Sequence, residues 1–162
     1  MEGRMGEDDI KLDQFERIIL KAKHIYCDSV IFSYHFHNHP NYSYLTARLF
    51  ELLEKKRITI VTSCLAYLEI LSLKQLEKDL QQRLLIKEFF LSQPNLQMNQ
   101  TDVSLIEHAA QIRRTGGLKA VDALQLATAQ ASVVKIFLTN DKDFRRISQK
   151  QFPIVFLDEF VS

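Results

Sequence analysis

Helical and strand-like patterns alternate from one end of the chain to the other, and that alternation predicts an α/β layer built on a mainly parallel sheet. Two further features support it. The short apolar or β-branched runs His24-Ile25-Tyr26-Cys27, Ile58-Thr59-Ile60-Val61-Thr62 and Ile136-Phe137-Leu138-Thr139 have the length of buried strands. Between them lie longer stretches with apolar residues three and four apart, as helices that cross between parallel strands require.

Taken in order, Met1 to Asp9 is polar and Gly-containing and reads as a disordered tail. Ile10, Leu12, Phe15, Ile18 and Ile19 mark an amphipathic helix from Ile10 to about Lys23. The strand His24 to Asp28 follows, and residues 24–160 read as one domain without repeat or linker. A loop beyond it holds His35, His37, His39 and Pro40, before a helix over about Tyr42 to Lys55. Arg57 to Thr62 is the second strand, and Ser63 is placed to cap a helix from Cys64 to about Lys78. Another helix spans about Gln81 to Leu91 and stops at Gln93-Pro94-Asn95. Leu96 to Asn99 is a short strand. Thr101 caps a helix to about Arg114, Gly116-Gly117 ends it, and the Ala-rich segment Leu118 to Val133 is the next helix. Lys135 to Thr139 and Pro153 to Phe156 are the last strands.

The chain has 162 residues, 46% hydrophobic and 25% charged, enough for a single sizeable core. A net charge of +1 neither demands nor excludes nucleic acid, since a local basic patch suffices. No apolar run approaches the roughly 20 residues of a membrane span, and no secretory leader is visible at the N-terminus. Cys27 and Cys64 lack metal-binding spacing and read as free thiols. The expected address is the cytoplasm.

Four carboxylates are out of place on such a scaffold. Asp28 and Asp141 each close a strand, where sites form in parallel sheets. Glu69 interrupts a face otherwise made of Leu65, Ser72, Leu73 and Leu76, and Asp122 one continued by Leu126, Ala129 and Val133. Singly, each has an ordinary explanation. Asn140-Asp141 is good turn chemistry, Asp28 suits a strand-end cap, Asp122 suits a first helical turn, and Glu69 suits the margin of a core. Together they suggest a shared Mg²⁺ or Mn²⁺ site, because unpaired buried acids are costly and hard cations take oxygen ligands.

The local sequences are Tyr26-Cys27-Asp28-Ser29, Ser63 to Glu69, Ala120-Val121-Asp122-Ala123-Leu124-Gln125-Leu126-Ala127-Thr128-Ala129 and Leu138-Thr139-Asn140-Asp141-Lys142-Asp143-Phe144. Over about His24 to Phe160 the chain resembles the PIN-domain ribonucleases, and within them the VapC-type toxins. The resemblance implies a three-layer α/β/α PIN-like fold with a mainly parallel central sheet and a Mg²⁺- or Mn²⁺-dependent endoribonuclease. It also implies a small antitoxin partner. One departure is visible: the family usually follows its first Asp with Thr or Ser and then a small polar residue, whereas here Asp28-Ser29 is followed by Val30.

On this reading Asp28 and Asp141 are the foremost direct ligands, and Glu69 and Asp122 bind directly or orient water. Ser29, Thr139 and Asn140 hold ligands or a phosphate, and Asp143 joins through water or faces solvent. The reaction is hydrolysis of an RNA phosphodiester. Arg113, Arg114, Lys119, Lys142, Arg145 and Arg146 flank the acids as candidate phosphate contacts, or form a solvated charged face. The His35, His37, His39 triplet is a weak metal pattern. Tyr34, Tyr42 and Tyr44 suit base stacking or packing. The stripe Leu65, Leu68, Leu76 and Leu80 suits core packing, with part of it a homodimer face. The rival readings are a catalytically weakened PIN-fold scaffold that binds RNA or protein, and a phosphatase- or response-regulator-like domain, which Glu69 inside a helix fits poorly.

Overall fold

The computed structural model describes residues 6–161; most of the expected tail, residues 1–5, lies outside the described residues. Helix α1 (Glu7–Ala22) begins at Glu7 rather than Ile10, because Glu7, Asp8 and Asp9 fill its first turn and oppose the helix dipole. It buries Phe15 and Ile19, and Phe15 packs edge-on against Phe160 at 5.3 Å. Strand β1 (His24–Cys27) follows.

The expected loop after β1 is a helix up to Phe36. Asp28 caps α2 (Ser29–Phe36), and Ile31 and Phe32 form its buried face. His35 lies in the last turn of that helix, and only His37, His39 and Pro40 belong to the turn that ends it, where Asn38 takes a positive φ of 49°. Helix α3 (Ser43–Glu54) and strand β2 (Thr59–Ser63) come next. Ser63 caps α4 (Cys64–Leu71) by accepting the Ala66 N–H at 3.1 Å. The helix stops short of the expected Lys78: Ser72 Oγ bonds back to the Leu68 carbonyl and Leu73 is extended. A 3-10 turn (Lys74–Leu76) leads to α5 (Leu80–Ser92), capped by Asp79, and to β3 (Leu96–Asn99).

Helix α6 (Val103–Gly116) is capped by Asp102, not Thr101, through Leu105 N–H to Asp102 Oδ1 at 2.8 Å. Its end at Gly117 needs the left-handed conformation, φ 67°, that glycine adopts at least cost. Helix α7 (Ala120–Gln130) is shorter than expected; Ser132 Oγ donates to the Thr128 carbonyl there, and Val133 is 83% exposed. Val133 therefore does not continue the Asp122 face. Strand β4 (Ile136–Thr139), a 3-10 turn (Lys142–Arg146), β5 (Ile154–Phe156) and a final 3-10 turn (Leu157–Phe160) complete the chain.

The five strands among the described residues lie in the order β3-β2-β1-β4-β5, and every pairing is parallel. Alternation along each strand sorts the core into two layers. Ile25, Cys27, Ile60, Ile136 and Leu138 face α1 to α5, whereas Tyr26, Val61, Phe137, Ile154 and Phe156 face α6 and α7. The result is three layers, α/β/α. Each fully buried aliphatic or aromatic side chain contributes about 1.5–3 kcal/mol, so the two layers together hold the sheet. Of the leucine stripe, only Leu76 is buried; Leu68 and Leu80 are 59% and 60% exposed. Both cysteines are free thiols.

Candidate active site

The strand order reverses at β1, whose neighbours are β2 and β4. Crevices in open parallel sheets form beyond the carboxyl ends of strands at such a switch, and Asp28 and Asp141 follow the two strands that border it. Asp28 is 4% exposed. Its Oδ1 accepts the Ser29 N–H at 2.6 Å and the Ser29 hydroxyl at 3.3 Å, and its Oδ2 accepts the Thr139 hydroxyl at 2.7 Å. The strand-end cap and the candidate site residue are thus one and the same side chain. Thr139 is fully buried and also accepts the Asp141 N–H at 3.0 Å, so one hydroxyl ties the two strand-end acids together. Asp141 in turn caps the 3-10 turn by accepting the Asp143 N–H at 2.9 Å.

Helix α7 begins beside this pair and presents Asp122 in its first turn. Ligand oxygens of Asp122, Asp141 and Asp143 all lie within 4.8 Å of one another. Asp143, expected to join through water or to face solvent, therefore lies in the same cluster as Asp122 and Asp141. Glu69, half-buried on α4, completes the ring of charge. Burial raises the Asp28 carboxyl to about 7, with Glu69 and Asp122 adding to the shift against the Thr139 and Ser29 hydrogen bonds. Burial, then Asp141 and Glu69, raises Asp122 to about 6. Glu69 is raised by burial and then by Asp141, while the Ser29 hydroxyl opposes the shift. Asp28 is thus coupled to Glu69 and Asp122, and both of these to the charge of Asp141.

Asp122 Oδ2 is buried and has no hydrogen-bond donor among the described residues. A set of oxygen donors gathered against its own repulsion, with one buried oxygen left without a partner, is what a hard divalent cation satisfies. The residues fit Mg²⁺ or Mn²⁺.

The other expected site residues divide. Asn140 does not face the acids as a phosphate ligand; its Oδ1 accepts the Asp158 N–H at 2.9 Å and its Nδ2 reaches Asp158 at 3.3 Å and the Tyr34 hydroxyl at 3.4 Å. It braces the Asp141 loop against the C-terminal segment. Tyr34 and Tyr42 stack on each other at 4.6 Å, and the Tyr42 hydroxyl donates to Asp158. Tyr44 donates to the Phe160 carbonyl at 2.8 Å, so these tyrosines are tied into the fold. The histidines do not converge on one point: His35 packs on Phe50, His37 Nδ1 meets the Ser33 carbonyl, and His39 lies against Tyr34.

Among the bases, Lys119 Nζ lies 3.2 Å from Asp143 and Arg146 3.7 Å from it. Arg145 sits over the Phe156 ring at 4.1 Å, and Arg113 donates to the Leu118 carbonyl. Arg114 and Lys142 are exposed. Val30 lies with Ser29, Ser33, Leu68 and Leu73 in a groove of about 530 Å³ that borders Glu69. Two polar residues behind the acids, Gln125 and Tyr26, carry no flag in the sequence beyond one: Gln125 is an amide inside an Ala- and Leu-rich helix face.

A parallel α/β/α layer with an acidic pocket at its switch point defines a class of site suited to divalent cations. The sequence matches the PIN domain family over residues 25–150, and the chain belongs to that family. Helix α1 lies outside the match. No curated protein matches the sequence. The fold is similar to VapBC2 from Rickettsia felis bound to a DNA fragment from its promoter, at 22% identity and TM-score 0.62, covering 82% of this chain and 98% of that one. It is similar to a toxin–antitoxin complex from Klebsiella pneumoniae at 19% identity and TM-score 0.57, covering 82% and 97%. FitAB bound to the IR36 DNA fragment matches at 20% identity and TM-score 0.58, covering 82% and 94%. At these identities the likeness is one of fold.

Proposed function

We propose that this protein is a Mg²⁺- or Mn²⁺-dependent endoribonuclease and the toxin of a toxin–antitoxin pair. The observation that carries the reading is the cluster of Asp122, Asp141 and Asp143, whose ligand oxygens lie within 4.8 Å of one another, with a buried Asp122 oxygen that has no donor among the described residues; the charge coupling of Asp28 and Glu69 to Asp122 supports it. Asp122, Asp141 and Asp143 would hold the cation, with Glu69 and Asp28 completing the field around it. A bound cation supplies Lewis-acid activation of water and neutralisation of phosphate charge. Thr139 keeps Asp28 and Asp141 in register, and Asn140 keeps the loop that carries Asp141 from shifting. Lys119 and Arg146 restrain Asp143 and present positive charge at the rim, where an RNA backbone approaches with Lys142 and Arg114 beside it.

The groove of Val30, Ser33, Leu68 and Leu73 beside Glu69 suits an antitoxin segment that pairs aliphatic side chains with a basic one, and the toxin–antitoxin complexes of similar fold support such a partner. The exposed Leu68, Leu80, Leu84 and Leu91 support a homodimer face on α4 and α5.

The test is cleavage of structured RNA with Mg²⁺ or Mn²⁺, in EDTA, and in Asp141→Asn. Metal-dependent cutting at single-stranded positions, lost in both controls, is the expected result. Cutting that persists in both overturns the mechanism. Binding without cutting favours the scaffold reading.

A further inference from the structure

Behind the acids lies a buried polar chain that the ligand set does not account for. Gln125 is 1% exposed on α7, one turn beyond Asp122, and an amide so placed is costly unless both its ends are bonded. Both are. Its Nε2 donates to Glu69 Oε2 at 2.8 Å, and its Oε1 accepts the hydroxyl of the fully buried Tyr26 at 3.3 Å. Ser63 Oγ, at the start of α4, accepts the Ala66 N–H.

Only one direction satisfies every member. An ionised Glu69 carboxylate can only accept, so it takes the amide N–H, and the amide oxygen takes the Tyr26 hydroxyl proton. The amide is then fixed with its NH₂ toward Glu69. The chain runs from Tyr26 on β1 through Gln125 on α7 to Glu69 on the second turn of α4. Aligned bonds of this kind polarise one another in a dry interior.

We infer that Gln125, oriented by Tyr26, is a positioning residue that fixes the Glu69 carboxylate for cation binding; the inference rests on the proposed reading of the acids as a cation site. A glutamate has three rotatable bonds, and ordering them is an entropic cost that a prepaid contact removes. A lysine or arginine in place of Gln125 would also hold Glu69, but its charge would repel the cation. A buried amide orients one carboxylate oxygen without adding charge.

The test is Mn²⁺ binding to the full chain, followed by calorimetry and by the Mn²⁺ electron paramagnetic resonance signal, for wild type, Gln125→Met, Tyr26→Phe, Glu69→Gln and the pairwise combinations with Glu69→Gln. Gln125→Met keeps the volume and removes the donor. It should weaken Mn²⁺ binding about tenfold, and Tyr26→Phe should weaken it less, with circular dichroism unchanged. In the Glu69→Gln background neither should have a further effect, because both act through Glu69. Equal losses in the two backgrounds, or no loss in the wild-type background, overturn the assignment. If Gln125→Met does not fold, Tyr26→Phe in the two backgrounds decides by the same criteria. A wild-type protein that binds no Mn²⁺ overturns the cation reading itself, which is a separate and recognisable result.

Discussion

At the scale of single residues, Asp28 does two jobs that conflict. It caps α2 and belongs to the acidic pocket, and burial among like charges raises its carboxyl from 3.8 to about 7. A carboxyl raised in this way binds its proton more tightly in the folded state. Its contribution to stability is complete below the unfolded value and is lost as pH rises through the folded one, a window of about pH 4 to 7. Asp122, raised to about 6, acts in the same sense. Asp28→Asn removes the first loss while keeping the shape. In EDTA, its melting temperature relative to wild type should climb across that window and level off above it, at about 2–4 °C per kcal/mol for a chain of this size. A difference that does not change with pH would mean that Asp28 carries no ionisation penalty. The same substitution should abolish most cleavage.

At the scale of elements, helix ends can be separated from the site. Asp102 caps α6, away from the acids, through a single bond to the Leu105 N–H. Asp102→Ala should cost about 1 kcal/mol in denaturant unfolding and leave cleavage unchanged. Gly117→Ala should cost about 1 kcal/mol as well, but for a different reason: φ is 67° there, although a Cβ would meet only Arg146 at 3.7 Å. Unchanged stability in the second variant would show that the α6–α7 turn can relax. These boundaries were only partly legible beforehand. Ser63 was recognisable as a cap because a long apolar run follows it, whereas Thr101 and Asp102 are adjacent and both suitable. Only the geometry of the first turn selects Asp102. The α2 helix was hidden because its eight residues run into a histidine-rich stretch that ends in a proline, and its cap doubles as a site residue.

For the whole molecule, gathered carboxylates and a bound cation are linked to folding. A cation that binds only the folded arrangement adds RT ln(1 + [L]/Kd), about 2.7 kcal/mol at a hundredfold excess over Kd. Saturating Mg²⁺ or Mn²⁺ should therefore raise the melting temperature, and Asp122→Asn should blunt that rise more than Asp102→Ala does. An equal rise in both variants would place the ion elsewhere. The basic rim is tested by salt. Lys142→Ala with Arg146→Ala should weaken RNA binding and flatten the dependence of log Kd on log salt by roughly one unit per lost phosphate contact. An unchanged slope would leave these side chains as a solvated face.

The sequence by itself determined the alternation of elements, the parallel sheet and the four acids, because strand length, helical spacing and misplaced charge are local signals. Glu69 and Asp122 were visible as charges on apolar helix faces, and Asp28 and Asp141 as acids at strand ends. What only the tertiary structure decided is which groups meet. Strand order brings β1 and β4 side by side, so Thr139 bridges Asp28 and Asp141, and Asp143 joins the cluster although its local sequence suits solvent. Asn140 turned out to brace a loop, and Gln125 to hold Glu69 from 56 positions away. Hydrogen bonds between residues so distant in the chain have no periodicity to betray them; they exist only once the hydrophobic layers have set the distances.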